Sequence, residues 1–372
     1  MGRSEMRPAA YQVMALDATR APELNSCLNG PARSEGANVM PTVREIRLKS
    51  RPSGLPTHDN FELASVELAA PGAGEVQVQN LWMTVDPYMR GRMNDVKSYA
   101  PPFQLGKAMD GGAIGQVVAS NDPALTVGDL VQSGFGWREG FNAPAGAVQK
   151  LNPGQLPVQA FLGAAGMPGL TAYAGLLKVA ALKDGDVVFV SGAAGAVGAM
   201  VCQIAKAKGH TVIGSAGGAD KVAYLKSIGV DHVIDYKAEK DLTAALAAAA
   251  PDGIDVYFDN VGGAHLEAAL NSAKMFARFA ICGMISIYNA TKPEPGPTNL
   301  AQLIGKNIRM EGFIVSHHFG MMPQYIADLS AWVDEGKVSW KETVFEGIEK
   351  APDAFIGLFR GENLGKMLVK LK

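Results

Sequence analysis

The hydrophobic and polar positions change rhythm partway along the chain. Between residues 42 and 163 apolar residues come in short runs broken by turn residues. Runs at 61–68, 75–84 and 112–119 read as strands, separated by Pro71-Gly72, Asp86-Pro87 and Asn121-Asp122-Pro123. Another strand begins within Val127-Gly128-Asp129-Leu130-Val131. This spacing predicts an all-β, barrel-like domain. From about residue 164, β-branched runs alternate with helical stripes. Strands are expected at 186–191, 211–215, 232–235, 254–259, 279–282 and 309–315, and helices at 196–208, 220–228, 238–249, 264–274, 300–306 and 323–335. Six strands with helical crossovers imply a doubly wound parallel sheet of an α/β fold. The tail, 341–372, returns to short strands that can pack back onto the first domain. The expected division is a β-rich domain at 42–163 plus 339–372 and an alternating α/β domain at 164–338. Residues 1–41 read as a disordered N-terminal extension, or as an over-long start with Met40 as the initiator.

Composition narrows the function classes. The chain of 372 residues is 48% hydrophobic and 19% charged, enough to bury a large core. The net charge is −2 and no long basic block occurs, so nucleic acid is not an expected partner. There are three cysteines and no C-x-x-C pair, which argues against a structural zinc module or a disulfide framework. A reducing, cytoplasmic location is expected. His317-His318 read as ordinary loop or surface residues. The uncharged stretches 151–177 and 187–205 are long enough to raise a membrane question. Pro153, Pro157 and Pro168 break the first, and the second passes from a β-branched run through a glycine turn into an amphipathic helix, so neither is expected to span a bilayer. No secretory signal is evident, since residues 1–40 carry four arginines balanced by four acids and no apolar run.

Glycine is in excess, at 43 of 372, with no three-residue period, so the question is what its placement permits. The most informative run is Asp186-Val-Val-Phe-Val-Ser-Gly-Ala-Ala-Gly-Ala-Val-Gly198. A β-branched strand enters a turn with glycines at three-residue spacing, and Val197, Val201, Ile204 and Ala205 then form one helical stripe. Such a turn lets the backbone approach a pyrophosphate at a helix N-terminus. The spacing is G-x-x-G-x-x-G rather than G-x-G-x-x-G, and the strand–turn–helix context carries the assignment. The second strand ends Ser215-Ala-Gly-Gly218, without the acid that would hold the ribose hydroxyl of NAD. Lys221 follows in the first helical turn, where a bound phosphate would offset its opposition to the helix dipole. These features point to NADP(H), the plainer reading of Lys221 being a solvated side chain.

The chain resembles the medium-chain dehydrogenase/reductase superfamily, which implies a GroES-like β-barrel catalytic domain and a Rossmann six-stranded sheet. Within it, the chain is similar to the zinc-independent group of prostaglandin reductases, alkenal double-bond reductases and curcumin reductases. The resemblance rests on Met83-Thr-Val-Asp-Pro-Tyr-Met-Arg-Gly-Arg-Met93, Gly166-Met-Pro-Gly-Leu-Thr-Ala-Tyr173, Ser191-Gly-Ala-Ala-Gly-Ala-Val-Gly198, Phe258-Asp-Asn-Val-Gly-Gly263, Cys282-Gly-Met-Ile-Ser-Ile-Tyr-Asn289 and Gly361-Glu-Asn-Leu-Gly-Lys366. It implies that Gly195, Ala196, Val197 and Gly198 cradle the pyrophosphate. Gly218, Lys221 and Tyr236 would serve the 2′-phosphate side. Asn260, Cys282, Gly283 and Tyr288 would line the nicotinamide side, with Phe313, Ile314 and Val315 near the carboxamide. Asn363 would close over the cofactor, and Tyr88 would line the substrate pocket. Plainer roles stand beside these: a turn cap for Asn260, a half-buried ring for Tyr236, and core packing for Cys282 and Tyr88.

No metal is expected. Zinc alcohol dehydrogenases of this superfamily place a Cys and a His–Glu pair in the β domain. The corresponding stretches here, Leu81-Trp-Met-Thr-Val-Asp86 and Gly106-Lys-Ala-Met-Asp110, supply neither Cys nor His. Alcohol oxidation by that route needs a Lewis acid, whereas reduction of a conjugated C=C needs only a donor for the enolate oxygen. The expected activity is NADPH-dependent reduction of α,β-unsaturated ketones or aldehydes. Hydride would add at the β-carbon, Tyr288 would hold the enolate, and Tyr288 or water would protonate the α-carbon. The alternatives are an NADPH:quinone oxidoreductase and a non-catalytic NADPH-binding protein. The loop at 289–297, rich in proline, is expected near the pocket mouth. The resemblance also implies a homodimer joined through the sheet edge near 309–315.

Overall fold

The computed structural model describes residues 40–372. The expected N-terminal extension therefore lies outside the described residues, apart from Met40 and Pro41. The β-rich part contains β1 (Thr42–Leu48), β2 (Phe61–Glu67), β3 (Glu75–Thr84), the short helix α1 (Met89–Arg92), β4 (Ala113–Ser120), β5 (Leu130–Ser133), β6 (Gly140–Pro144) and β7 (Gln149–Lys150). β1 and β2 form one antiparallel pair. β3 organises the larger sheet. It pairs with β4 along one side and with β6 at the start of its other side.

Helix α2 (Met167–Ala174) follows, in part of the uncharged stretch, with a proline in its first turn where no backbone donor is needed. Among the described residues no helix is long and apolar enough to cross a membrane.

The alternating region yields β8 (Val187–Val190), α3 (Ala196–Ala207), β9 (Thr211–Ala216), α4 (Ala219–Ser227), β10 (His232–Asp235), α5 (Leu242–Ala249), β11 (Ile254–Asp259), α6 (Gly263–Ser272), β12 (Ala273–Ile281), α7 (Gln302–Gly305), β13 (Arg309–Gly312) and α8 (Met322–Asp334). The six strands are parallel and ordered β10-β9-β8-β11-β12-β13. Strand periodicity sends alternate side chains to opposite faces. Val188, Val190, Val256 and Phe258 join the core beneath α2 and α3. Phe189, Tyr257 and Phe279 join the core on the other face, where Phe189 and Tyr257 stack at 5.1 Å. Both faces are covered, as a parallel sheet requires.

Several boundaries differ from the sequence reading. α5 starts at Leu242 rather than 238, because Asp241 caps it through a bond from the Ala244 N–H. β12 begins six residues before the expected 279, since Ala273 already pairs with Ile254 across an irregular register. β13 stops at Gly312, opposite Ile281, the last residue of β12. Phe313, Ile314 and Val315 therefore lie beyond the sheet. The tail is not strands alone. β14 (Glu342–Glu346) and β15 (Lys366–Lys370) flank a helix, α9 (Ala351–Arg360). A proline opens α9 and Gly361, at φ 68°, closes it in the left-handed region. Phe355 of α9 enters the β core, its ring edge-on to Trp137 at 5.8 Å. β15 runs antiparallel to β3, and β14 parallel to β15.

Candidate active site

The strand order reverses between β8 and β11, and in open α/β sheets the crevice at that point receives ligands. Beyond β8 the chain turns through Gly192 into α3. A Cβ on Gly198 would lie 2.3 Å from the Gly192 carbonyl oxygen, so only glycine lets the first turn of α3 sit on this loop. Gly195 is the N-cap, and no side chain caps the helix. Ala196, Val197 and Gly198 thus open a helix whose first-turn N–H groups and dipole suit an anion.

Asn260 ties the two central strand ends together. Its N–H donates to Ser191 Oγ at 2.9 Å and its Nδ2 donates to the Ser191 carbonyl at 2.8 Å. Beneath it, Asp259 Oδ1 accepts from Ser191 Oγ at 3.0 Å, Tyr257 OH at 2.7 Å, and the N–H groups of Val261 at 2.9 Å and Gly262 at 2.8 Å. Burial raises the Asp259 carboxyl against these donors. Its buried Oδ2 has no hydrogen-bond partner among the described residues.

The N–H groups of Cys282 and Gly283 both donate to the Asp259 carbonyl, at 2.9 and 3.0 Å. Burial pushes the Cys282 thiol up to about 12, so it stays protonated and unreactive at neutral pH. The Tyr288 hydroxyl accepts from the Met284 N–H at 3.2 Å and would lie 3.0 Å from a Cβ on Gly283. Burial outweighs that bond and lifts the phenol above its ordinary value. Tyr288 therefore holds its proton at neutral pH, with a small glycine leaving room beside it. Phe313 packs edge-on to Phe258 at 6.1 Å. Ile314 is extended, and Val315 starts a 3-10 turn that runs to Met321.

Lys221, in α4, donates to the Gly361 carbonyl at 2.7 Å. Burial, and then the charge of Lys237, holds its ammonium below the ordinary value. Two cations that disfavour each other would both gain from an anion between them. Tyr236 and Lys237 crowd Gly217, each placing an atom 2.9 Å from where a Cβ would stand. Gly218 caps α4 at φ 101° and donates its N–H to Asp235 Oδ1 at 3.0 Å. Lys237 is missing from the sequence expectation, although it directly follows Tyr236. His265 of α6 supports the same corner. Its Nε2 lies 3.0 Å from Ser215 Oγ, and its ring meets Tyr236 edge-on at 5.2 Å. Burial lowers this imidazole to about 4, so it is neutral.

The C-terminal return meets the glycine turn. The Gly365 N–H donates to the Ala194 carbonyl at 2.8 Å, and Gly365 bridges Gly195 in parallel. Asn363 Nδ2 donates to the Gly365 carbonyl at 2.9 Å, so Asn363 stands beside this junction. Tyr88 is half-buried against the β-domain core. Within α1, Arg90 Nε donates to Asn289 Oδ1 at 3.1 Å, joining the β domain to the start of the expected mouth loop. Among the described residues no group of three or more His, Cys, Asp or Glu is placed to hold a metal ion. The uncapped α3 and the paired lysines fit a dinucleotide carrying an additional phosphate.

Comparison with known proteins agrees with this geometry. Residues 44–151 match the family described as the N-terminal domain of oxidoreductase, and residues 196–332 match the zinc-binding dehydrogenase family. Prostaglandin reductase 1 of Rattus norvegicus is 45% identical over 327 residues, spanning 87% of this chain and 97% of the relative. The NADP(+)-dependent 2-alkenal reductase of Nicotiana tabacum is 43% identical over 332 residues, spanning 88% and 96%. The crystal structure of CurA in complex with NADPH from Vibrio vulnificus is 42% identical and superposes with a TM-score of 0.84, covering 88% of this chain and 99% of that one. The chain therefore belongs to the medium-chain dehydrogenase/reductase superfamily, in its zinc-independent group of prostaglandin, alkenal and curcumin reductases.

Proposed function

We propose that this protein reduces the C=C bond of α,β-unsaturated ketones and aldehydes, using NADPH. NADPH, when bound, supplies the hydride that adds to the β-carbon of the substrate. The observation that carries the reading is Tyr288, a shielded phenol that keeps its proton beside the switch-point crevice. Its hydroxyl donates to the carbonyl oxygen as negative charge develops there, in the manner of an oxyanion hole. Tyr288 or a water molecule then protonates the α-carbon.

The other roles proposed come from the family resemblance and are compatible with where the residues lie. Gly195, Ala196, Val197 and Gly198 hold the pyrophosphate. Gly218, Lys221 and Tyr236, joined by Lys237, hold the 2′-phosphate. Asn260, Cys282 and Gly283 line the nicotinamide side, with Phe313, Ile314 and Val315 at the carboxamide and Asn363 closing from the C-terminal return. Tyr88 lines the substrate side. The domain division at 42–163 plus 339–372 and 164–338 is supported by the pairing of β15 with β3. A homodimer is supported by the edge strand β13, whose four residues are all exposed, and by nearby Phe276 and Ile304, at 66% and 84% exposure. Free Cys202 and Cys282 are compatible with a reducing cytoplasm.

NADPH oxidation measured against a panel of enones, enals and quinones tests the activity. Turnover of enones well above quinones is expected. Turnover of quinones alone would favour the oxidoreductase alternative, and cofactor binding without any turnover would favour a non-catalytic protein.

A further inference from the structure

Arg90 lies within α1 and is 2% exposed. Its guanidinium serves separate segments of the chain. Nη2 donates to the carbonyls of Pro52 at 3.3 Å and Gly54 at 2.9 Å, and Nε donates to the same Gly54 carbonyl at 3.2 Å. Nη1 donates to Asn94 Oδ1 at 2.7 Å. Nε also donates to Asn289 Oδ1 at 3.1 Å, 199 residues along the chain. These acceptors are all neutral oxygens, and burial lowers the guanidinium from its ordinary value. Hydrogen bonds to uncharged groups thus hold this cation inside the protein.

The Asn289 bond differs from the others, because it leaves the β-rich part. Asn289 follows Tyr288, the C-cap of the 3-10 turn Ile285–Ile287. None of the three residues of that turn is buried, and Ile287 is 43% exposed. A turn with so little apolar anchorage opens at small cost. Its polar anchors on one side are strand-end residues. The Ile285 N–H donates to the Asn260 carbonyl at 3.3 Å, and the Ser286 N–H donates to the Val261 carbonyl at 3.1 Å. On the other side stands Arg90. The loop that Arg90 binds approaches the same segment: a Cβ on Gly54 would lie 3.5 Å from Thr291 Cγ2 and 3.8 Å from the Asn289 carbonyl oxygen. A side chain that served only the loop around Gly54 would need no acceptor beyond Tyr288.

We propose that Arg90 is a positioning residue: through Asn289 it fixes the turn carrying Tyr288 against the β-rich part, and so sets where the Tyr288 hydroxyl meets the substrate. Tyr88 is the N-cap of the same short helix. One helix therefore carries a residue of the proposed substrate side and the pin for the proposed donor, which holds the two at a fixed separation. A donor displaced by about 1 Å loses much of its effect on the developing charge. Arginine suits this place because one rigid fork holds the loop around Gly54 and Asn289 together, which a single ammonium cannot do. This inference rests on the donor reading of Tyr288, so its test includes a measurement that needs no turnover.

The test compares the wild type with Asn289→Ala, Asn289→Asp, Arg90→Lys and Tyr288→Phe. Asn289→Ala leaves Arg90 its carbonyl acceptors, so the fold should persist. Amide hydrogen exchange over residues 284–290, read by mass spectrometry, should rise about 10-fold in Asn289→Ala. Asn289→Asp, which keeps an acceptor for Arg90, should restore protection. On an enone, Asn289→Ala and Arg90→Lys should each lower kcat about 10-fold with KM near the wild-type value. Combined with Tyr288→Phe, Asn289→Ala should lower kcat no further. Unchanged exchange in Asn289→Ala, or a kcat loss that adds fully to that of Tyr288→Phe, would overturn the positioning role. So would an unchanged kcat in Asn289→Ala where Tyr288→Phe lowers it. Raised exchange in Asn289→Ala together with full kcat in Tyr288→Phe would overturn the donor reading and leave the pin standing.

Discussion

Lys366 Nζ lies 2.8 Å from Asp86 Oδ1, and the two residues are 4% and 7% exposed. Lys366 also donates to the Val85 carbonyl at 2.9 Å, and Thr84 Oγ1 donates to Asp86 Oδ2 at 2.8 Å. The pair joins the start of β15 to the segment that carries Tyr88, one residue after Gly365 meets the glycine turn. The Tyr88 segment, the C-terminal return and the glycine turn are thus linked through one buried contact. Removing one partner leaves a buried charge uncompensated. Lys366→Met should lower stability by about 3–5 kcal/mol, read from denaturant unfolding. Lys366→Met with Asp86→Asn should recover part of that loss, and an equal loss in both variants would argue against the pairing.

The lysine pair predicts cofactor selectivity. A charged hydrogen bond contributes roughly 1.5–3 kcal/mol, so Lys221→Ala should weaken NADPH binding by roughly 10–150-fold. NADH binding should barely change. Lys237→Ala should act in the same direction. Fluorescence titration with both cofactors checks this, and equal losses for NADPH and NADH would refute the assignment.

Tyr288→Phe removes the proposed donor while keeping the ring. A drop in kcat of about 100-fold on an enone is expected, the size typical for one oxyanion donor. Because burial raises the phenol, the wild-type rate should show no loss from Tyr288 ionisation up to the ordinary tyrosine range near pH ~10. A pH profile that falls through neutrality, and is flattened by Tyr288→Phe, would contradict this.

His265 makes stability depend on pH. Its imidazole is held near 4 in the folded protein, against about 6.5 when unfolded. Between these values the unfolded chain binds a proton that the folded chain does not, so stability is full above about 6.5 and is lost as pH falls toward 4. The loss due to this residue is about 3 kcal/mol. His265→Gln should reduce the difference in unfolding free energy between pH 7 and pH 4, and an unchanged difference would remove His265 as its source.

Two glycines of the proposed phosphate turn should separate folding from binding. A Cβ on Gly198 would overlap the Gly192 carbonyl, whereas one on Gly195 would lie 3.3 Å from the same oxygen with nothing else near. Gly198→Ala should lower stability by about 1–3 kcal/mol. Gly195→Ala should fold with little loss and weaken NADPH binding. Thermal unfolding and cofactor titration on both variants check the contrast.

The sequence alone determined the repeating elements and the phosphate turn. Strand and helix periodicities are local, and the run from Asp186 to Gly198 carries strand, turn and helix within a few residues. Hence β8, β9, β10 and β11 fall at or within a residue of where the pattern puts them. The boundaries of β12 and β13 depend on where neighbouring strands end, which no local pattern records. α9 has Ala351, Ala354, Phe355 and Leu358 on one buried stripe, a helical signal masked by the expectation of strands alone.

Only the tertiary structure brings Lys237 to Lys221 and Gly365 to Gly195. Lys366 and Asp86 are 280 residues apart, and in a linear sequence a lysine and an aspartate read as solvated surface groups. Their burial follows from the return of β15 onto β3, which places complementary charges where neither could be buried alone. The chemistry of this protein was therefore legible where its residues are contiguous. It was hidden where two distant segments supply one partner each, because burial and pairing are properties of the folded chain.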